Sequence, residues 1–563
     1  MYKRQIGYSC KYAPVELIAA YGKEALLLDA ETADFSRAET LTHANVCCHA
    51  KALLTQALDT DELVLTDCCD ATRRICDVLQ DAGRQRFLFQ FDLPHDDAAC
   101  ARARLTRELI RFADAYGAYT GRAFSKEAFF AACRNHSSAH PPREPFIAVL
   151  GARVSPQLLG QIRCAFPIPV ENLTCSGLRT LEDPPEEAAG FSFEALMDWY
   201  AGALLRQTPC MRMTDIASRR ALYENENIRG IVYNTVKFCD YYGFEYADLK
   251  AKSTAALLKI ESDYTLTAPG QLSTRLEAFR ERLGLTAQPD DGADNPPPAA
   301  EKAARKKYFA GIDSGSTTTN MVVLDENEAL LAFAIVRTGP RAHVGAQAAL
   351  ETVCRTLHIE PDALSSIVAT GYGRNNIPFA TRTKTEITCH ARGAHALNPA
   401  VRTIIDIGGQ DSKVINLDET GHVSGFMMND KCAAGTGRFL EMMARTLELD
   451  MEEMSRRGLT WEKELTISSM CTVFAESEVI SLIADNHTDS DIIHGLNQSI
   501  AGKTAAMAAR AKGQPPYMMT GGVARNRGVV QALEEKLGAK LFISENPDLC
   551  GALGAALFAL HGD

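Results

Sequence analysis

Cysteine is the residue with the most chemistry in this sequence. The 563-residue chain holds 17, including two adjacent pairs, Cys47-Cys48 and Cys68-Cys69. The second pair ends the apolar run ELVLT, Cys10 follows QIGYS, and Cys239 closes RGIVYNTVKF. Loops at the carboxyl ends of parallel strands are where α/β sheets assemble sites. Adjacent cysteines rarely bond each other because the ring is strained. Cys10, Cys47, Cys48, Cys68, Cys69 and Cys239 therefore read as soft metal ligands, enough thiols for more than one iron–sulfur cubane. The bland alternative for each is a buried small side chain. Cys76, Cys100, Cys133, Cys164, Cys175 and Cys210 read as structural, and Cys354, Cys389 and Cys550 as core.

A second set of residues offers oxygen and backbone N–H. Gly311-Ile312-Asp313-Ser314-Gly315-Ser316-Thr317 stands between the apolar runs YFAGI and MVVL. Asp406-Ile407-Gly408-Gly409-Gln410-Asp411-Ser412-Lys413 follows TII, and Thr520-Gly521-Gly522-Val523-Ala524-Arg525-Asn526 follows YMM. Glycine lets backbone donors approach phosphate oxygens, hydroxyls add donors, and a carboxylate holds Mg²⁺ through water. One such turn alone is weak evidence, since glycine pairs usually just make turns. Three in order, each leaving a strand, make a nucleotide clamp. Asp313 and Asp406 are the candidates for organising Mg²⁺ and water. Gly408, Gly409 and Gln410, with Asp411 and Lys413, would face the phosphates; Gly521, Gly522 and Asn526 would face the adenosine. No GxxxxGK[ST] sequence is present, which excludes a P-loop ATPase.

Cys432 precedes AAGTGRFLEMMARTLEL, with Gly435 and Gly437 in its turn, and Cys471 precedes TVFAESEVISLIADN. Both runs have helical apolar spacing. A thiol at a helix N-terminus meets unpaired N–H groups and the positive end of the dipole, which favour thiolate and a bound anionic cluster. A [4Fe–4S] cluster takes four cysteines. A two-fold dimer giving two from each protomer would complete the set. His390 reads as a packed, hydrogen-bonded imidazole.

These residues must be positioned by alternating strands and helices. ALLLDA, ELVLTDCCD, FLFQFD, FIAVLGA and RGIVYNTVKFCD read as buried strands, and LTRELIRFADAYGAYTG, SFEALMDWYAGALL and QLSTRLEAFRERL as helices. Strand–helix alternation predicts parallel α/β layers. TAQPDDGADNPPPAAEKAARK (286–306) has linker composition, and NHSSAHPPREP (135–145) reads as a hinge. The expected organisation is an α/β subdomain over 1–140, a second over 141–285, a linker over 286–306 and an ATPase domain over 307–563. Hydrophobic residues at 46% and charged residues at 23% are ordinary for a globular chain. The net charge of −12 argues against a nucleic-acid binder. No apolar run reaches the roughly 20 residues a membrane helix needs, and MYKRQIGYSCKYAP lacks the apolar stretch of a leader. A cytoplasmic protein is expected.

The order DSGST, DIGGQDSK, TGGVARN and GALGAAL resembles the phosphate and adenosine motifs of the acetate kinase/sugar kinase/Hsp70/actin fold, with its two duplicated α/β subdomains. ATGYGRN (369–375), TEITCHARGA (385–394) and NDKCAAGTGRFLE (429–441) are similar to the ATP-dependent activators of 2-hydroxyacyl-CoA dehydratases, the BadF/BcrA-type ATPases. Asn320 stands where many relatives are expected to carry Lys. GYSCKYAPVELIAAYG (7–22), NTVKFCDYYGFEYADLK (234–250) and LLKIESDYTLTAPGQLSTRLEAF (257–279) resemble the dehydratase subunits that such activators reduce. The paired cysteines are closer to the double-cubane cluster proteins of that superfamily. The N-terminal half is thus expected to be a two-subdomain, Rossmann-like module.

The resemblance implies ATP, Mg²⁺, a [4Fe–4S] cluster shared by Cys432 and Cys471 of two protomers, and a second iron–sulfur cluster of double-cubane type in the N-terminal module. It implies a homodimer, a ferredoxin or flavodoxin-type electron donor, and a separate dehydratase or reductase component, with no nucleic acid or membrane partner. The expected function is ATP-driven, low-potential electron transfer between the two clusters, for 2-hydroxyacyl-CoA dehydratase-type or small-molecule reduction. Lowering a one-electron potential by a few hundred millivolts costs about 5–10 kcal/mol, within reach of one or two nucleotides. The rivals are a small-molecule kinase of the same fold and a non-enzymatic iron–sulfur or nucleotide sensor.

Overall fold

The computed structural model describes residues 5–562 apart from 33, 44, 137–143, 176, 178, 240, 266–268, 286–306, 430–433 and 468–471. The expected linker, most of the expected hinge, and both Cys432 and Cys471 therefore lie outside the described residues. The chain divides into two compact units. One is made chiefly of Met1–Ala268, the other of Pro269–Gly284 together with Pro289–Asp563.

The first unit holds two four-stranded, wholly parallel sheets. The strands β1 (Gln5–Tyr8), β2 (Glu24–Leu27), β3 (Glu62–Thr66) and β4 (Phe87–Phe91) are ordered β2-β1-β3-β4. In the second sheet β5 (Phe146–Gly151), β6 (Val170–Asn172), β7 (Ile228–Val236) and β8 (Leu257–Ser262) are ordered β6-β5-β7-β8. ELVLT and FIAVLG bury every residue, as expected of central parallel strands covered on both faces. Helices Ala99–Thr120 and Phe193–Arg206 bury one stripe each, Leu105, Leu109, Phe112 and Tyr116 on the first and Leu196, Tyr200 and Leu204 on the second, within one core. In each sheet the strand order reverses beside the first strand, at β1/β3 and β5/β7. Crevices at such reversals collect ligands.

The second unit also repeats itself. β9 (Tyr308–Ser314), β10 (Thr318–Leu324), β11 (Leu330–Arg337), β12 (Leu364–Thr370) and β13 (Arg382–Thr383) form the sheet β11-β10-β9-β12-β13. β14 (Thr403–Ile407), β15 (Ser412–Leu417), β16 (Val423–Asn429), β17 (Tyr517–Thr520) and β18 (Leu541–Phe542) form β16-β15-β14-β17-β18. The order is identical, with an antiparallel hairpin leading and parallel strands following. This is the duplicated α/β architecture expected of the acetate kinase/Hsp70/actin fold. The helices Glu386–Leu397 and Cys550–His561 cross between the sheets so closely that a Cβ on Gly554 would lie 1.8 Å from the Cys389 carbonyl oxygen.

Two sequence expectations are corrected. Helix Pro269–Arg282, placed with 141–285, packs in the second unit, where Ala278 shares a core with Ile387, Ala391 and Ala394. The helix expected directly after Cys432 starts only at Gly437. Gly435, at φ +91°, makes a turn there, and Thr436 is the extended residue that precedes the helix. Among the described residues no helix is long and apolar enough to cross a membrane.

Candidate functional site

The strand ends of the first unit enclose a cavity of about 180 Å³ walled by seven thiols: Cys10, Cys47, Cys68, Cys69, Cys175, Cys210 and Cys239. Cys10 follows β1, Cys68 and Cys69 follow β3, Cys175 follows β6 and Cys239 follows β7. Both sheet reversals thus contribute. Five of the six thiols expected from sequence are here. The sixth, Cys48, is not: it opens helix Cys48–Ala57 and packs into the core with Ala52, Phe146 and Leu150, and burial raises its thiol pKa. Cys175 and Cys210, read as structural, belong to the wall. Cys76 and Cys133 are core residues, and Cys100 and Cys164 are exposed.

Five of the seven thiols fall into two interacting groups. The interaction with the Cys68 thiol lowers Cys10 to about 7 against the effect of burial, and the same interaction, with burial, pushes Cys68 up to about 11. Cys69 is held high by its bond to Cys68, and its Sγ caps helix Asp70–Ala82 by accepting from Thr72 N at 3.4 Å. Across the cavity Cys239 lowers Cys47 in the same way, to about 7, and is itself raised. Arg153, Arg212 and His49 line the remaining wall. The Arg212 guanidinium lies 4.7 Å over the Tyr241 ring. His49 is held well below the ordinary imidazole range by burial and by Arg153 and Arg212, so its ring is neutral. Among the described residues no three His, Cys, Asp or Glu converge on one ion-sized point; the thiols are spread over the wall.

In the second unit, loops from both sheets line a cavity of about 870 Å³. The β9–β10 turn supplies Asp313, Gly315, Ser316 and Thr317, the β14–β15 turn Gly408, Gly409, Asp411 and Lys413, and the loop after β17 Gly521, Gly522 and Asn526; Gly437 completes the predicted set. The two phosphate-type turns touch. A Cβ on Gly409 would fall 2.0 Å from Thr317 Oγ1, so any larger residue must push the two turns apart. The N–H groups of Gly437 and Arg438, which begin helix Gly437–Thr446, donate at 2.9 Å to the Gly408 and Gly409 carbonyls. Four predicted residues do not line the cavity. Gly311 lies in β9 against the Ala552 carbonyl, Ser314 is buried beside Thr319, Gly435 sits in its turn, and the Gln410 amide lies beside the Arg438 guanidinium.

Charge here is concentrated. Lys413 Nζ lies 2.8 Å from Asp411 Oδ2, 3.2 Å from Asp406 Oδ2 and 3.5 Å from Glu386 Oε1. Burial alone would drive its proton off, but the three carboxylates hold its pKa well above the ordinary range. Burial likewise works to raise Asp406, yet His390, Lys413 and the donating Thr520 hydroxyl at 2.9 Å bring it to about 2. Asp313 is raised by burial. Glu386 is raised to about 8 by burial, with Lys413 opposing. His390 is more than the packed ring expected, standing 3.9 Å from a carboxylate oxygen of both Asp313 and Asp406. Asn320 donates to the Asp548 carbonyl at 3.0 Å, tying β10 to the segment before helix Cys550–His561. Sequence reasoning missed Glu386 and Tyr372, whose hydroxyl donates to Asp411 at 2.9 Å. Glu386 directly follows the Thr385 helix cap and Tyr372 stands between Gly371 and Gly373, which were the available signals.

Residues 310–559 match the model of the BadF/BadG/BcrA/BcrD ATPase family. Residues 10–141 and 165–283 match that of the 2-hydroxyglutaryl-CoA dehydratase D-component. The 2-hydroxyisocaproyl-CoA dehydratase activator of Clostridioides difficile is 42% identical over 252 residues, covering 45% of this chain and 94% of that protein. The activator of lactoyl-CoA dehydratase of Anaerotignum propionicum is 45% identical over 252 residues, covering 45% and 97%. The (R)-2-hydroxyglutaryl-CoA dehydratase activating ATPase of Acidaminococcus fermentans is 43% identical over 253 residues, covering 45% and 96%. A solved structure of the C. difficile activator with bound ADPNP is 42% identical, covering 45% of this chain and 95% of that one, with a TM-score of 0.44.

Proposed function

The chain belongs to the BadF/BadG/BcrA/BcrD ATPase family, and on that premise we propose that it couples ATP hydrolysis in its second unit to low-potential electron transfer toward an iron–sulfur centre in its first. The seven-thiol cavity carries the proposal, because it stands in the same chain as an ATPase whose relatives are named as dehydratase activators. Its donor set fits such a centre. Soft sulfur ligands are plentiful, Cys10 and Cys47 ionise near neutral pH, and Arg153 and Arg212 lie on the same wall as counter-charges. Two groups of thiols suit two linked cubanes better than one. An iron–sulfur centre, when bound, supplies one-electron chemistry whose potential depends on charge, hydrogen bonding and exposure.

ATP and Mg²⁺ fit the second cavity. Buried Thr317 Oγ1 and Asn526 Nδ2 have no protein partner, and both belong to loops that line it. Asp406, held low by its surroundings, and Asp313 would hold Mg²⁺ through water, with His390 3.9 Å from each. Gly408, Gly409, Gly315 and Ser316 would bring backbone and hydroxyl donors to the phosphates. Gly521, Gly522 and Asn526 would take the adenosine. Lys413 anchors three carboxylates, so its charge is spent on the wall of the site as well as on phosphate.

Dimerisation through Cys432 and Cys471 is part of the proposal. The described helix after Cys471, Thr472–Ala484, is apolar on several sides, yet Phe474 is 67% exposed and Ile480 and Ile483 are exposed with it. Such a surface calls for a covering partner, and a second protomer would bring the other two thiolates. Electrons would enter from a ferredoxin or flavodoxin-type donor, and the product of the transfer would be a 2-hydroxyacyl-CoA dehydratase-type or small-molecule reduction, within this chain or on a separate component. The test is anaerobic purification with iron and acid-labile sulfide counted per chain, alongside reductant-dependent ATP turnover. More than one cluster's worth of both is expected. Folded, ATP-hydrolysing, oxygen-free protein without sulfide defeats the reading.

A further inference from the structure

The helix Pro269–Arg282 belongs to one family by sequence and to the other by packing. The dehydratase D-component match runs to residue 283 and the ATPase match begins at 310. Yet Pro269–Gly284 is part of the second compact unit. Its contacts there are specific. Glu281 accepts from Thr385 N at 3.2 Å, Thr385 Oγ1 at 2.6 Å and Thr388 Oγ1 at 2.5 Å. Thr385 is the N-cap of helix Glu386–Leu397, so the Glu281 carboxylate sits at the positive end of that helix. Glu277 pairs with Arg374, whose side chain is 3% exposed, and Arg374 also donates to Thr274 Oγ1 at 3.4 Å and to the Gly371 carbonyl at 2.9 Å. Beneath them Ala278 packs on Ile387 and Ala391.

Both elements held this way reach the nucleotide cavity. Glu386 and His390 of the clasped helix line it, as does Tyr372 of the turn that Arg374 anchors. Gly373 N of the same turn donates at 3.0 Å to the Ser314 carbonyl, next to the first phosphate turn. We propose that the face made by Arg374, Thr385, Thr388 and Ala391 is a recognition surface for the terminal helix of a dehydratase D-type module, and that docking of this helix and nucleotide binding stabilise each other. In this chain the occupant is its own Pro269–Arg282 helix, the continuation of the polypeptide that forms β8. Nothing in the coupling depends on the thiol cavity.

Linkage makes the coupling testable twice, because the factor by which nucleotide tightens docking equals the factor by which docking tightens nucleotide. In the full chain, amide exchange over 272–284 is measured with and without a non-hydrolysable ATP analogue. Affinity for the same analogue is measured calorimetrically in wild type, Glu281→Gln and the Glu277→Gln/Glu281→Gln pair. Slower exchange with analogue by about fivefold or more, and weaker binding in the paired variant by a comparable factor, are expected. Exchange that ignores the analogue, or affinity that ignores the variants, overturns the coupling even if the other quantity moves. Binding without either response leaves the nucleotide site standing and removes only the helix from it. A chain that binds no analogue at all removes both.

Discussion

The thiol cavity and the nucleotide cavity occupy the same place in their folds, at the carboxyl ends of strands in paired α/β sheets, yet they are built from opposite materials. The nucleotide cavity is hard: carboxylates, hydroxyls and backbone groups held by a dense hydrogen-bond and ion-pair network around Lys413. The thiol cavity is soft: seven sulfurs, five of them paired with one another, with two arginines on the same wall. Hard sites select Mg²⁺ and phosphate oxygen, and soft ones select iron and sulfide. What differs is also how each is assembled. Three short contiguous turns make most of the first, whereas the second gathers thiols from six separate places in the chain.

The largest effect should come from removing a charge the hard site cannot replace. Asp406→Asn deletes the carboxylate whose pKa lies at about 2 and leaves Thr520, Lys413 and His390 without their common partner. Phosphate release is expected to fall about 10²–10³-fold, the scale on which preorganised electrostatic groups act. A variant retaining a tenth of wild-type turnover would mean Asp406 is not central.

The soft site is sharpened by a contrast within one dipeptide. On the proposed iron–sulfur centre, Cys47→Ala should markedly lower iron per chain, while Cys48→Ala should leave it unchanged, since of the pair only Cys47 lines the cavity. Cys175→Ala and Cys210→Ala should behave like Cys47→Ala. Iron per chain, measured anaerobically on each variant, decides it, and equal loss from Cys47→Ala and Cys48→Ala would break the assignment.

The same contrast explains what the sequence could tell. The nucleotide turns were legible because each is an unbroken strand–turn pattern, so Asp313, Gly409 and Gly521 fall where their spacing puts them. Cys47 and Cys48 look alike as letters, but Cys47 is the non-helical residue before the helix and Cys48 its first helical residue, and only the second turns into the core. Cys175 was hidden because β6 is only three residues long, and Cys210 because it stands in an irregular stretch after helix Phe193–Arg206 with no periodic pattern to place it. Helix Pro269–Arg282 was legible as a helix but not in its packing. Its amphipathic stripe says that it docks, while the ion pair to Arg374 and the caps to Thr385, which say where, join residues about a hundred positions apart.

A smaller effect tests how tightly the hard site is built. Gly409→Ala would place a methyl group 2.0 Å from Thr317 Oγ1, and a β-branched residue has little rotamer freedom to retreat. The turns must part slightly, and ATP affinity should weaken about tenfold, or about 1.4 kcal/mol, with the fold intact by circular dichroism. Unchanged affinity would show that the two turns need not touch for nucleotide to bind.

The smallest effect is a slope rather than a loss, and it separates the two sites by pH. Glu386 is buried and its pKa is raised from 4.5 to about 8, so the folded state favours its protonated form. Folding therefore gains from this group fully below about pH 4.5, and the gain is lost as pH rises toward about 8, because the unfolded chain ionises the carboxyl freely and the folded chain resists. Asp406 has the opposite sign, but its window lies between about 4 and 2 and does not overlap. Urea unfolding of the second unit's transition at pH 6 and pH 8 should show lower stability at the higher value. Glu386→Gln, which is neutral at both, should flatten that difference while leaving the thiol-dependent properties of the first unit untouched. A slope that survives the substitution would place the titrating group elsewhere in the second unit.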